Sequence, residues 1–113
     1  MIKSLSLLTR KPELSAEAFR KVWTSEHAPM VRAVAGVKHY TLSFPVSEPT
    51  RPDVPTLAIP AGVDAIAELW YEDAETMQRA TQSPEMKAVT DNGAKYLGAI
   101  KTYITEEMII IGK

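Results

Sequence analysis

Both histidines of this 113-residue chain, His27 and His39, lie within one stretch, residues 19–40. His27 is the stronger candidate for a general acid or base, because an unperturbed imidazole titrates near neutral pH. Pro29 lacks an N–H and crowds the preceding turn, so we expect a break in the helix that turns His27 into a cavity and leaves backbone carbonyls without partners. The alternative is a structural histidine that hydrogen-bonds to its own broken turn.

Tyr40 is the second candidate, because a phenol hydroxyl can donate to a carbonyl or stabilise an enolate. His39 precedes it in a predicted strand, where successive side chains point to opposite faces. The two side chains therefore cannot line one pocket, and we choose Tyr40. The competing interpretation of Tyr40 is a half-buried strand tyrosine whose hydroxyl lies at the rim of the sheet.

Two carboxylates are possible partners of these residues. Glu68 lies in an apolar strand segment, so we expect it to be partly buried and therefore paired or protonated. It would act as a base or accept the free N–H groups of the broken helix. Asp53 would orient a histidine or close over a substrate, or it is a solvated loop acid. Trp23 and Met30 have helical spacing and are interpreted as core residues or, at most, as walls of the pocket.

Hydrophobic periodicity predicts the elements that position these side chains. Strands are expected over residues 2–9, 37–46, 65–71 and 100–111, and a broken helix over 16–35 that Gly36 caps. Asp73 and Ser83 would each begin a further helix, with Asn92-Gly93 as a weak point in the last one. Five of the eight prolines, Pro45, Pro49, Pro52, Pro55 and Pro60, fall in one long loop. Such a loop favours an ordered lid or arm over a flexible linker.

The order β-α-β-loop-β-α-β predicts a ferredoxin-like α+β fold, βαββαβ, with a four-stranded antiparallel sheet and helices on one face only. The other face of the sheet needs a cover that one chain of this length does not supply. The apolar segment near the C-terminus would also leave an aggregation-prone edge. We therefore expect a homodimer in which two sheets pack together as a dimeric α+β barrel.

Length, net charge, composition and missing motifs exclude several classes of function. The length predicts a single domain, residues 1–113, and a net charge of −1 gives no general attraction to nucleic acid or to an acidic membrane. The absence of cysteine excludes disulfides and thiol chemistry. No apolar run is long enough to span a bilayer, so we expect a cytoplasmic protein. Because no glycine-rich phosphate loop and no metal-binding histidine pair occur, we expect no cofactor and no metal.

Several motifs together resemble the EthD-type family of dimeric α+β barrels, over residues 2–107. These motifs are LLTRKPELSAEAFRKVW, EHAPMV, GVKHY, VDAIAELWYED and a last strand that contains TEE. Within the family the pattern is similar to that of methylmuconolactone methylisomerases, and the resemblance implies roles for His27 and Tyr40. It departs from that pattern at Leu69, where a cysteine is expected, and at Asp53, where a histidine is expected. Both positions remain candidates for substrate binding.

Three hypotheses about function follow from the resemblance and the residues. The first is a cofactor-free isomerase, decarboxylase or cyclase that transfers protons on a small lactone-like or aromatic-derived substrate, in catabolism or polyketide synthesis. The second is a monooxygenase-like or haem-handling barrel. The third is a non-enzymatic small-molecule binding accessory of an oxygenase pathway, such as ether degradation. Fold alone cannot choose among them.

Overall fold

The computed structural model describes residues 1–112, and its strands form one antiparallel sheet of order β2-β3-β1-β4. The strands are β1 (Ile2–Arg10), β2 (His39–Ser43), β3 (Ala65–Tyr71) and β4 (Leu97–Glu106). Between β1 and β2 lie α1 (Ala16–Val22), a π-helical turn (Trp23–His27), α2 (Ala28–Met30) and a 3-10 turn (Val31–Ala33). Between β3 and β4 lie α3 (Ala74–Thr81) and α4 (Pro84–Ala94). This architecture confirms the predicted ferredoxin-like fold.

The main core lies where α1 and the π turn pack on the centre of the sheet. Leu8 of β1 and two alanines of β3, Ala65 and Ala67, are buried against Phe19 and Trp23. The small alanine side chains let the aromatic rings approach the strands closely, and the rings of Phe19 and Trp23 stack with their centroids 5.2 Å apart. The first helical run is therefore fixed on the sheet just before the turn that carries His27.

The predicted starts of three helices are confirmed by side-chain caps. Ser15, Asp73 and Ser83 have extended backbone, and their side chains accept a hydrogen bond from the backbone N–H three residues later at 3.0, 2.8 and 3.1 Å. Pro84 occupies the first position of α4, where its missing N–H costs nothing. Among residues 1–112, none of the helices combines the length and the apolar character that crossing a membrane would require.

Two strands differ from the prediction because pairing, rather than local pattern, sets their ends. β4 pairs with β1 from Leu97, opposite Arg10, to Glu106, opposite Ile2. Residues 107–112 have no pairing partner in the β1 ladder, so the predicted strand over 100–111 begins too late and extends too far. β2 ends at Ser43 instead of residue 46, shortly before a proline that cannot donate to a ladder hydrogen bond.

Two predictions about the ends of helices were also wrong. The first helical run ends at Ala33, because Val34 has extended backbone. Gly36, with φ +97°, belongs to the following turn and does not cap the helix. The predicted weak point at Asn92-Gly93 lies inside α4, which continues to Ala94. Both residues are buried there.

The proline-rich segment and residues 108–111 are exposed. Residues 45–62 contain no helix or strand, and Val46 and Leu57 are 94% and 86% exposed. Apolar side chains are also exposed after β4, at Met108, Ile109, Ile110 and Ile111. A row of exposed apolar side chains is a feature of surfaces that bind another molecule.

Candidate active site

A cavity of about 560 Å³ lies between the helical layer and the helix-facing side of the sheet. The side chains around it are largely apolar, with a few hydroxyl groups and one imidazole. They include Trp23, His27, Tyr40, Leu69, Met86 and Thr102. A cavity of this size that combines apolar walls with a few polar groups is typical of a small-molecule site.

The π-helical turn, Trp23–His27, places the histidine in this cavity. Its backbone hydrogen bond spans one residue more than that of an α-helix, since the N–H of Ala28 donates to the carbonyl of Trp23, five residues earlier. Pro29 comes directly after Ala28 and has no N–H to donate, which favours this change in the hydrogen-bond pattern. The hydroxyls of Thr24 and Ser25 donate to backbone carbonyls of the preceding turn at 2.8 and 2.6 Å.

His27 is buried, with 6% of its surface exposed, and it is fixed on two sides. Its ring stacks on Trp23 with a centroid distance of 3.7 Å, and its Nδ1 lies 3.0 Å from Oδ1 of Asn92 on α4. The structural alternative required a hydrogen bond to the broken turn itself, whereas this partner comes from another helix. Burial lowers the pKa of His27, and the nearby Asn92 and Glu26 oppose that shift only in part. The imidazole is therefore neutral near pH 7 and able to act as a base.

Three residues that the sequence analysis did not identify form a polar network behind His27. The Asn92 amide donates to Glu26 Oε2 at 2.9 Å, and the Tyr96 hydroxyl donates to the same oxygen at 2.5 Å. These two hydrogen bonds hold the pKa of Glu26 below its usual value. Because the contacts join residues 65 to 70 positions apart, no local pattern reveals them.

Gly93 allows α4 to approach the two stacked rings. A Cβ atom at this position would lie 3.1 Å from Cε1 of His27 and 3.3 Å from Cη2 of Trp23. Either contact would push the rings or the helix apart by a few tenths of an ångström. The Asn-Gly pair, expected to weaken the helix, is instead where the helix meets the site.

Tyr40 lies on β2, half-buried, and it lines the same cavity as His27. It stands opposite Leu69 in the β2–β3 register. Burial raises the pKa of Tyr40 to about 12, although the neighbouring Trp23 side chain favours the ionised form. The indole N–H of Trp23 is buried and forms no hydrogen bond of normal geometry within residues 1–112. Tyr40 is therefore a protonated donor near neutral pH.

The floor of the cavity carries a pair of hydroxyl groups. Ser6 on β1 and Thr102 on β4 face each other across the strands, with their oxygens 2.8 Å apart. One of the two hydroxyl groups donates its proton to the other, so the second hydroxyl can donate a hydrogen bond to a ligand oxygen.

The remaining predicted site residues lie elsewhere. Glu68 is half-buried as expected, but it points to the face opposite the helices and binds Lys3 at 2.9 Å, so the idea that it holds the broken helix is wrong. Asp53 is exposed and pairs with Arg51 at 2.7 Å. Met30 packs against a second core cluster, whose buried members include Val31, Val34 and Tyr71. The structure thus brings together His27, Tyr40, Trp23 and Leu69, and it does not bring Asp53, Glu68 or Met30 to the cavity wall.

The neutral state of His27 should make the fold sensitive to mild acid. Its pKa in the folded protein lies below 6.5, so the unfolded chain binds more protons as the pH falls through that value. The free energy of unfolding should therefore decrease as the pH falls below about 6.5. The pKa of Glu26 in the folded protein lies below 4.5, so protonation of Glu26 changes the free energy of unfolding only at lower pH. Urea titrations of the wild type and of His27→Gln test this, since the variant should have the flatter profile. A flat wild-type profile would contradict a neutral buried imidazole.

Sequence comparison gives a family and a related enzyme. Residues 11–99 match the EthD domain family. The 4-carboxymethyl-4-methylbutenolide mutase of Pseudomonas reinekei is 32% identical over 109 residues, which cover 96% of this chain and 100% of the relative.

One solved structure belongs to the same family, and a second shares the fold. An EthD family protein of Bacillus halodurans C-125 is 27% identical, has a TM-score of 0.74, and is matched over 96% of this chain and 100% of its own. A dimeric ferredoxin-like protein of unknown function from Thermobifida fusca shares the fold at 12% identity, with a TM-score of 0.65 and coverage of 92% and 88%.

Proposed function

This chain belongs to the EthD family, and we propose that it is a cofactor-free isomerase of a small lactone-like carboxylate. The observation that carries the proposal is one cavity that holds a neutral buried imidazole and a protonated phenol. A base and an acid whose pKa values are moved apart by their surroundings are the groups that proton transfer requires.

Because C4 of 4-carboxymethyl-4-methylbutenolide is quaternary, its isomerisation requires a C–O bond to form and another to break. The side-chain carboxylate adds to the β carbon of the ring, and the electron pair moves through the α carbon onto the lactone carbonyl oxygen, to which Tyr40 donates a hydrogen bond while its charge develops. His27, after taking a proton from solvent, gives it to the α carbon and is neutral again. It then removes a proton from the carbon beside the newly formed lactone carbonyl while the original ring C–O bond breaks, so neither an oxidant nor a net proton is consumed. The buried imidazole can serve both steps because its pKa lies below that of a free histidine.

A butenolide is the substrate class that we infer from the related mutase. Its ring is small and largely apolar, as are the walls that Leu69 and Met86 contribute. Its ring and carbonyl oxygens are acceptors, which suits the donor left free by Ser6 and Thr102.

The direct test is incubation with 4-carboxymethyl-4-methylbutenolide in D₂O, followed by proton NMR. We expect a positional isomer of the same composition, with deuterium at the carbon that receives the proton from His27. Saturable binding without isomerisation or exchange would contradict the proposed enzyme and leave a small-molecule carrier or pathway accessory.

We also propose that the protein is a homodimer. The side chains of Met108, Ile109, Ile110 and Ile111 are 72–94% exposed in one copy, and Tyr103 is half-exposed on the sheet face away from the helices. Burial of these groups against a second chain would stabilise both copies. Light scattering at micromolar concentration should give twice the monomer mass, and a chain that ends at Glu107 should dissociate more readily. A monomeric full-length chain would contradict the dimer.

A further inference from the structure

Asn92 has no role in the proton transfer described above, although it is buried and contacts His27. Its side-chain amide links the imidazole of His27 to the carboxylate of Glu26. One end of its amide lies 3.0 Å from Nδ1 of His27, and the other lies 2.9 Å from Oε2 of Glu26. Glu26 in turn accepts a hydrogen bond from Tyr96 at 2.5 Å.

Chemistry fixes the direction of each hydrogen bond in this network. An ionised carboxylate only accepts, so the nitrogen of the Asn92 amide must face Glu26. The amide oxygen must then face His27. Because an amide oxygen carries no proton, the hydrogen of this bond can come only from Nδ1 of the imidazole.

We propose that Asn92, held by Glu26, is a positioning residue that fixes His27 as the Nδ1–H tautomer and leaves Nε2 as the proton acceptor. A neutral imidazole without such a partner samples both tautomers, and only one of them has its lone pair on Nε2. The same hydrogen bond sets the orientation of the ring, as outer partners do for other functional histidines. Gly93 contributes by letting α4 come close enough for Asn92 to reach the ring. The kinetic part of this inference rests on the proposed function, whereas the tautomer does not.

The test is long-range proton–nitrogen NMR on the ¹⁵N-labelled full-length protein, at a pH where His27 is neutral. In the wild type, Nδ1 should be protonated and Nε2 unprotonated. Asn92→Leu is close in size but lacks both hydrogen bonds, so it should give a mixture of tautomers and a kcat that is roughly 10–100-fold lower, with little change in KM.

Two further variants separate tautomer control from a loss of folding. Asn92→Asp keeps an acceptor oxygen for Nδ1, so it should retain the wild-type tautomer. Asp91→Leu changes the neighbouring exposed residue of α4 and should leave the His27 spectrum unchanged. A protonated Nε2 in the wild type, or a wild-type spectrum in Asn92→Leu, would overturn the inference.

The failure of this inference is distinguishable from the failure of the proposed function. The spectrum is recorded without substrate. An Nδ1–H wild type that does not isomerise the butenolide would overturn the function and support the tautomer assignment. An active wild type with Nε2–H would overturn the assignment alone.

Discussion

Replacing His27 with glutamine is expected to lower kcat for butenolide isomerisation roughly 10²–10⁴-fold, which is the usual contribution of a positioned base. Glutamine is similar in size and can still hydrogen-bond to Asn92, but it cannot take a proton near neutral pH. The apolar walls of the cavity remain in the variant, so KM should change little. Initial rates measured by proton NMR, together with circular dichroism to verify folding, give the comparison.

The second histidine supplies a matched control. His39 lies on the opposite face of the sheet, exposed, with its ring edge-on to Trp70 at a centroid distance of 6.1 Å. His39→Gln makes the same chemical change outside the cavity, so its activity should stay close to that of the wild type. Equal losses in the two variants, or an unaffected His27→Gln, would rule out His27 as the base.

The affinity of the wild type and of His27→Gln for the butenolide distinguishes an enzyme from a carrier. A base acts in the transition state, so its removal should leave the dissociation constant of the butenolide nearly unchanged. If the wild type and His27→Gln bind equally and neither turns the ligand over, the cavity serves binding alone.

The layout of strands and helices could be predicted where it depends on neighbouring residues. The bounds of β3 follow from its alternation, and the helix starts follow from Ser15, Asp73 and Ser83. The ends of β4 could not be predicted, because they depend on where β1 stops offering partners. Pairing between strands about a hundred residues apart leaves no local trace in the sequence.

Site residues could be predicted only where both the type of side chain and its position in a predicted helix or strand indicated a role. The type and setting of His27 indicated a base, and alternation separated Tyr40 from His39. Alternation also placed Glu68 with Trp70, but it did not show which face of β3 meets the helices. That choice depends on packing, since the alanines of β3 are buried beneath the aromatic rings of the first helical run.

Asn92 and Gly93 show how tertiary contact reverses a local preference. An Asn-Gly pair favours a turn, so the sequence predicts a weak point in the helix. The helix continues because Asn92 is hydrogen-bonded at both ends of its amide and Gly93 fits against the rings of Trp23 and His27. A glycine that persists inside a strongly capped helix is itself a signal of close packing, and it could have directed attention to this turn of α4.

Replacing Tyr40 with phenylalanine is expected to lower kcat about 10²–10³-fold, the effect of removing one donor to a developing oxyanion. Phenylalanine preserves the ring that packs in the cavity and removes only the hydroxyl. The donor role also predicts the pH dependence. Burial raises the pKa of Tyr40 to about 12, so kcat should not fall as the pH passes 10, where an exposed phenol ionises. Rates of isomerisation and of deuterium uptake in both proteins measure the effect.

Tyr103→Phe provides the control, because it removes a phenol hydroxyl from the face of the sheet away from the cavity. It should retain wild-type activity. The two measured rates also distinguish the possible roles of Tyr40, since a donor to the enolate oxygen should slow exchange and isomerisation together. If Tyr40→Phe slowed isomerisation but left exchange at the wild-type rate, the enolate would form without Tyr40. The phenol would then act only in returning the proton, and the division of roles between His27 and Tyr40 proposed above would be wrong.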